Sequence, residues 1–535
     1  MSNIPLPSSW VHARISEIAA VNPTLDKSEI ADDLEVSFVP MPAVEQLTGR
    51  ITVSKTRPLS EVKKGFTPFL EGDVLFAKIT PCMENGKMAV APALKNGYGF
   101  GSTEFHVLRP FSGISAKYIY YFVSSQGFRY AAEHKMSGAV GQRRVTTTYI
   151  SAQQIPVPPS REQRRIVAKI EELFSELDKG VEALTTAREQ LKVYRQSVLQ
   201  HAFSGKLTEK WRKHAGVATS SGNSLLEQLN KARTLYCAEQ SHKWEIAVRE
   251  WTKGGEKGKR PSRPENPAKV LPLSDLDLKR LPDIHPSWRY VRLDTIAQIG
   301  SGMSVSKDRV LEDPVEVPYL RVANVQRGKL DLAQIKVIKV EKTQLVQLVL
   351  KKWDVLFNED GDRDKLGRGW IWEDQITSCI TQNHVFRASL YLASEKHAKF
   401  ISYWGNTFGQ DYFNTEGKQT TNLASINKGV LGGFPIPLLP LQEQSEIIRL
   451  VEEKLSVCDY MLSEIDDQFA RASALRQSIL KQAFSGQLVA QDPADEPASV
   501  LLERIRAERK KADAKKPGRK TKITGHRKTG KRATA

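Results

Sequence analysis

Apolar residues recur at alternating three- and four-residue steps along two stretches of this chain. In the first they are Ile166, Ile170, Leu173, Leu177, Val181, Leu184, Leu191 and Val198. In the second they are Ile447, Val451, Cys458, Leu462, Ile465, Phe469, Ala472 and Ile479. A narrow stripe kept over about five heptads predicts a coiled-coil seam rather than the broader face of a globular helix. Gly180 is the only Pro or Gly inside either run. Each stretch therefore predicts a helix of ~40 residues, ~60 Å long at 1.5 Å per residue. Gly205 and Gly486 stand where a helix needs a left-handed C-terminal residue.

The two stretches are copies of one segment. Residues 162–207 align without a gap to residues 443–488, with 16 of 46 positions identical and a constant offset of 281. The sharpest matches are Arg195-Gln196-Ser197 with Arg476-Gln477-Ser478, and Ala202-Phe203-Ser204-Gly205 with Ala483-Phe484-Ser485-Gly486. A Pro-rich strand-and-turn precedes each copy (Ile155 to Pro159, Phe434 to Pro437), and Leu225 to Arg233 echoes Leu501 to Arg509 downstream. The halves also open alike, Pro7-Ser8-Ser9-Trp10 against Pro286-Ser287-Trp288. This order implies an internal duplication with approximate two-fold symmetry. If a pseudo-dyad crosses the helix pair, the helices run antiparallel as a rigid spacer.

Between these landmarks, residues 1–150 and about 285–430 read as mixed α/β with many short strands. Leu70 to Ile79 is a turn followed by an alternating strand, and Lys352 to Asp360 is its counterpart. Both run into loops rich in Gly and charge, residues 83–87 and 361–369. Later polar loops, residues 137–148 and 416–422, precede the Pro-rich exits. Elsewhere the halves diverge, which suggests one scaffold with two different binding faces.

Composition bounds the rest. The chain has 535 residues, 40% of them hydrophobic, with a mean hydropathy of -0.40; that fits two or three soluble domains. No stretch approaches the ~20 apolar residues of a membrane span, and the N-terminus lacks a signal-peptide layout. Cys82, Cys237, Cys379 and Cys458 stand far apart, so neither a disulfide framework nor a zinc ribbon is indicated; a reducing cytoplasm is expected. The net charge of +18 is concentrated: residues 504–535 carry 14 Lys/Arg against Glu508 and Asp513, and residues 252–264 carry five against Glu256. The folded body is left nearly neutral. The C-terminal tail reads as disordered, either a solubilising terminus or a nonspecific phosphate attractor. Catalytic patterns are missing: there is no Asn-Pro-Pro-aromatic or Asp-Pro-Pro-Tyr motif, no phosphate loop, and no zinc-protease spacing among ten scattered His. Asp360 to Asp364 holds three carboxylates but is interleaved with Arg363 and Lys365, which favours a solvated or DNA-facing loop over a metal site.

Taken together, the strand Gly72-Asp73-Val74-Leu75-Phe76-Ala77-Lys78, the Pro-to-Glu-Gln junctions and the duplicated Arg-Gln-Ser to Phe-Ser-Gly helix ends closely resemble the specificity subunit of a type I restriction–modification system. The resemblance covers nearly the whole folded chain. It implies an α+β protein in which two pseudo-symmetric mixed α/β target recognition domains are joined by two long antiparallel coiled-coil helices. It also implies a non-catalytic subunit that reads a bipartite double-stranded DNA target. Such a subunit docks two adenine-N6 methyltransferase subunits and, for restriction, motor-nuclease subunits. S-adenosylmethionine, ATP and magnesium belong to those partners; no cofactor, metal or membrane is expected of this chain.

The expected segments are a first recognition domain (1–159), a spacer helix (160–207), a connector with a basic Pro/Gly linker (208–285), a second recognition domain (286–440), a second spacer helix (441–488), and a C-terminal helix with the basic tail (489–535). The connector is longer than a simple join needs and contains a helical stretch from Trp244 to Trp251. Arg or Lys suits guanine and Asn or Gln suits adenine in the major groove. The candidate DNA contacts are therefore Lys78, Lys87, Gln142, Arg143 and Arg144 in the first domain. In the second they are Asn358, Arg363, Lys365, Arg368, Lys418, Gln419 and Asn422. The resemblance places partner contacts at the helix ends: Arg195, Gln196 and Phe203, and Arg476, Gln477 and Phe484. The same residues would serve helix packing equally well. The alternative function is a coiled-coil scaffold or nonspecific DNA binder with no methyltransferase partner.

Overall fold

The computed structural model describes residues 5–52, 55–139, 141–214, 222–256, 260–264, 272–304, 311–361, 365–419 and 424–514. The chain divides into two compact units, Met1–Thr185 with Asp466–Ala535, and Thr186–Ile465. Each predicted seam is one continuous helix of 44 residues, Ser160–Phe203 and Leu441–Phe484. Each of these helices contributes one part to each unit. Among the described residues no helix is long and apolar enough to cross a membrane.

The two helices run antiparallel. Asp178 pairs with Arg476 in the first unit and Asp459 pairs with Arg195 in the second. Within the first unit, going back from 178 to 162 on one helix goes on from 476 to 491 past the other, and within the second, going on from 195 to 212 goes back from 459 to 443. Near the domains the seam is dry, with Ile166, Ile170, Ile447 and Val451 fully buried. Toward the middle Val181, Leu184, Leu462 and Phe469 are only half-buried, because two helices alone cannot enclose a stripe. Both helices carry a glutamate in the first turn, where a carboxylate suits the positive helix end. Both stop at a left-handed glycine, Gly205 at φ +79 and Gly486 at φ +73. A β-carbon there would lie 2.8 Å from His285 Cβ and 2.4 Å from Pro7 Cγ respectively. Backbone conformation and close approach both require glycine.

In the first unit Val11–Arg14 pairs antiparallel with Gln154–Val157, so the domain's entry and exit strands lie side by side. Between them are two four-stranded sheets. One is antiparallel, in the order Ala19–Val21, Phe105–Pro110, Val74–Ala77, Met88–Val90. The other orders Lys55–Pro58, Glu35–Val39, Tyr98–Gly101 and Thr67–Leu70, with its central pair parallel. The strand Val74–Ala77 is buried on both faces. Val74 and Phe76 join one apolar cluster, Leu75 and Ala77 another, and the period-two alternation of a strand sends them there. The second unit repeats this plan. Arg289–Arg292 pairs with Pro435–Leu438, and Val355–Asn358 lies beside Val385–Leu390, which also pairs Ala297–Gly300. A further sheet orders Lys336–Glu341, Pro314–Leu320 and Ile380–Thr381.

The connector holds more helix than the sequence indicated. Gly222–Lys253 is one 32-residue helix, anchored at its start by buried Leu225 and Leu229. Its far end folds against the following segment, where Trp244 Nε1 donates to the Pro261 carbonyl at 3.1 Å and Arg263 stacks on the same ring. At the C-terminus Ala498–Ala514 is helical and returns to the chain start: Ala498 N donates to Ser9 O at 3.0 Å and Arg506 pairs with Glu17 at 3.0 Å. The basic tail beyond residue 514 and linker residues 257–259 lie outside the described residues.

The repeated sequence motifs meet at one junction in each unit. Trp10 Nε1 donates to Glu162 at 3.0 Å, and Trp288 Nε1 donates to Glu443 at 3.0 Å. The other oxygen of Glu162 accepts from Gln491 Nε2 at 2.7 Å, and Gln491 also donates to the Gly486 carbonyl. Arg212 takes the place of Gln491 in the second unit, bonding Glu443 and the Gly205 carbonyl, with Thr208 Oγ1 adding 2.8 Å to the same carboxylate. Both glutamates are 1% exposed. Burial pushes the Glu162 carboxyl above the usual glutamate range, since its hydrogen-bond partners are one neutral amide and an indole.

Glu443→Gln strands the Arg212 charge in a dry junction and is expected to cost about 3 kcal/mol, and Glu162→Gln, which sets an amide N–H against the Trp10 or Gln491 donor, is expected to cost about 1–3 kcal/mol. The raised Glu162 value contributes stability that is complete below the ordinary glutamate range and is lost as pH rises through it. Glu162→Gln should remove that slope. Urea denaturation of both variants between pH 4 and 8 checks both statements.

Candidate nucleic-acid interface and helix contacts

In the first unit the strand Val74–Ala77 continues into Lys78 and Ile79. Lys78 N donates to Glu104 O at 2.9 Å, and the Lys78 carbonyl accepts from Val145 N at 2.8 Å. Ile79 and Ser137 both bridge antiparallel to Arg144. The second unit repeats this backbone frame bond for bond. Glu359 N donates to His384 O and the Glu359 carbonyl accepts from Ile426 N, each at 2.9 Å. Asp360 and Lys418 both pair with Ser425. The strand end and the later polar loop are thus brought together in each unit.

On this frame Arg144 is clamped edge-on by Glu104, Nε to Oε2 at 2.9 Å and Nη2 to Oε1 at 2.8 Å. Nη1 donates to the Gln142 carbonyl at 3.1 Å. These bonds leave one proton on each terminal nitrogen of a guanidinium held in a fixed plane, with 40% of the side chain exposed. That is the fork that reads two acceptors at once. Bonding to Arg144 holds the Glu104 carboxyl below its usual range. Arg143 is half-buried, 3.9 Å from Glu133; Lys78 is half-buried and Gln142 exposed.

Two candidates take other tasks. Lys87 turns inward, with Nζ donating to the Val44 carbonyl at 2.9 Å and the Met41 carbonyl at 3.4 Å. It ties the 41–44 turn to the loop rather than presenting a charge. Asn358 is fully buried; its Nδ2 donates to the Val325 carbonyl at 2.9 Å and the Val322 carbonyl at 3.4 Å. An amide so enclosed positions a hairpin and cannot reach a base edge. Lys418 is exposed, while Lys365 and Arg368 are half-buried. Gln419 lies in the short strand Lys418–Gln419. Arg363 and Asn422 fall outside the described residues.

Most of the helix-end candidates make internal contacts. Arg195 and Arg476 make the interhelix ion pairs, and Arg476 also stacks 4.7 Å from the Phe174 ring centre. Gln477 Oε1 accepts from Gln126 N at 3.0 Å. Phe203 is buried against Phe400 and Trp404, each at 5.3 Å, and Phe484 packs on Tyr118 and Phe122. Gln196 alone of the six is exposed. Sequence reasoning noted Trp10 and Trp288 as landmarks without a task, and it missed Glu104, Glu359 and His384. Only the offset of 281 from Lys78 to Glu359 hinted at the last group.

A family model described as the type I restriction modification DNA specificity domain matches residues 7–186. The chain is 27% identical over 480 residues to the EcoAI type I restriction enzyme specificity subunit of Escherichia coli, covering 85% of this chain and 79% of that one. It is 26% identical over 498 residues to the E. coli EcoEI specificity subunit, covering 89% and 83%. A solved structure described under complex assembly and conformational transition of the type I R-M system matches with a TM-score of 0.63 at 19% identity. It covers 90% of this chain and 100% of that chain. The HsdS subunit from Thermoanaerobacter tengcongensis matches at 0.50 and 18%, covering 91% and 99%. The likeness to these solved structures is one of fold, with mixed helix and sheet and two long helices packing together. Over most of its length the chain is similar to type I restriction enzyme specificity subunits, and residues 7–186 match their DNA specificity domain.

Asn358→Ala is expected to lower stability by about 1–3 kcal/mol, because the Val325 carbonyl loses its donor inside the fold. A melting curve measures it.

Proposed function

We propose that each recognition domain reads one half of a split double-stranded DNA target, while the antiparallel helices set the gap between the halves. The observation that supports this best is the shared backbone frame at the strand ends, which carries different polar side chains in the two units. In the first domain Lys78, Gln142, Arg143 and Arg144 face DNA; in the second Lys365, Arg368 and Lys418 do so, with Gln419, Arg363 and Asn422 on the same loops. Some of these serve phosphates and fix the register only. Lys87 and Asn358 hold the loops that carry them.

The chain docks two adenine-N6 methyltransferase subunits and, for restriction, motor-nuclease subunits, in the cytoplasm. S-adenosylmethionine, ATP and magnesium are supplied with those partners. The segment boundaries proposed are those at 159/160, 207/208, 285/286, 440/441 and 488/489. The exposed side of the helix pair, including Gln196, is the surface left for a partner once the seam residues are used internally.

Mapping N6-methyladenine across a genome, with the methyltransferase subunit expressed alone and then with this chain, tests the reading. A split motif that appears only with the chain is expected; methylation that ignores the chain would overturn it. Inserting one heptad into both helices adds about 10 Å, roughly three base pairs at 3.4 Å each. The gap between half-sites should lengthen accordingly, and an unchanged gap would remove the helices from the spacing role.

A further inference from the structure

The strand-end frame is the same in both units, yet its side chains reverse sign. In the first unit it carries Lys78, Glu104 and Arg144. The corresponding positions of the second unit carry Glu359, His384 and Ser425, with Asp360 replacing Ile79. His384 sits between the two carboxylates, Nδ1 lying 3.2 Å from Glu359 Oε2 and 3.2 Å from Asp360 Oδ2. Asn383 Nδ2 lies 3.1 Å from His384 Nε2. With the Asn383 amide at Nε2, Nδ1 is the ring nitrogen that faces the two carboxylates. All three side chains are partly open, at 25%, 31% and 40% exposure for Glu359, Asp360 and His384.

We infer that this position determines one base of each half-site, and that the second domain reads a cytosine there through Glu359 and Asp360. The inference rests on the reading of these domains as DNA-recognition domains. A carboxylate has only acceptors, so the edge it reads must offer a donor; in the major groove the cytosine N4 amino group does so, as the adenine N6 amino group does. Adenine sets the N7 acceptor beside its amine, where it would face a second carboxylate oxygen lone pair to lone pair. Cytosine sets only C5–H there. Guanine, with acceptors at both O6 and N7, is repelled by this pair and suits the Arg144 fork of the first domain. His384 is a positioning residue, since its Nδ1 lies between the two carboxylates, 3.2 Å from an oxygen of each. One backbone frame carries a guanidinium at Arg144 in the first domain and two carboxylates at Glu359 and Asp360 in the second, which gives the two domains opposite base preferences without altering the fold.

The test is methylome mapping of the full chain co-expressed with its methyltransferase, comparing native, Glu359→Gln and Asp360→Asn forms, with a melting curve for each. The carboxamide variants are expected to relax a single C·G position in one half-site, with discrimination there falling roughly 10-fold. The other half-site should be untouched and the melting temperature nearly so. His384→Gln should relax that same position more weakly. An unchanged motif in both carboxamide variants would overturn the proposal, as would relaxation at an A·T position. A lower melting temperature with the motif intact would show a purely structural triad and would likewise overturn it. If the native chain directs no split motif at all, the specificity reading itself fails, and that is seen before any variant is compared.

Discussion

A buried indole-to-carboxylate hydrogen bond organises each half of this protein. Trp10 on Glu162, and Trp288 on Glu443, connect the first strand of a recognition domain to the first turn of its own helix. The second carboxylate oxygen then reaches a residue just past the end of the other helix, Gln491 or Arg212. One side chain therefore fixes the domain, the helix that leaves it and the helix that arrives. Burial makes the bond demanding: a carboxylate this dry is tolerable only when both oxygens are satisfied. The left-handed glycines follow from the same demand, since a β-carbon there would hold the arriving helix end away from the tryptophan segment.

The two junctions meet that demand by different chemistry. The first satisfies its glutamate with neutral donors and leaves the carboxyl reluctant to ionise. The second supplies a guanidinium that is 11% exposed. A neutral set and an ion pair can occupy one geometry because Gln491 and Arg212 both present N–H groups to the same two acceptors, a carboxylate oxygen and a glycine carbonyl.

How much of this could be read from the chain depends on the range of the interaction. The seam was legible because Ile166 to Val198 and Ile447 to Ile479 repeat at helical spacing, and a helix is a local object. The antiparallel pairing was inferable from duplication alone. The junction was visible only as disconnected echoes, since Trp10 and Glu162 are 152 residues apart and Gln491 is 329 residues from Glu162. The candidate contacts fared unevenly for a related reason. Asn358 looks like a reader in sequence because it ends a strand before a polar loop; only the fold shows the 322–325 turn closing over it. Arg144 and His384 gain their settings from residues 40 positions away and from a flanking pair, respectively, and no periodicity announces either.

The paired entry and exit strands carry a consequence for how such chains diversify. Val11–Arg14 lies against Gln154–Val157, and Arg289–Arg292 against Pro435–Leu438, so the intervening polypeptide in each half leaves and rejoins the frame at neighbouring points. A segment with adjacent ends is a cassette. Genetic exchange between two such chains, with crossovers in the strand pair, would transplant a complete domain while leaving the tryptophan, glutamate and glycine of the junction in place. New pairings of domains then arise by recombination in a single step, without waiting for point mutations to rebuild a core.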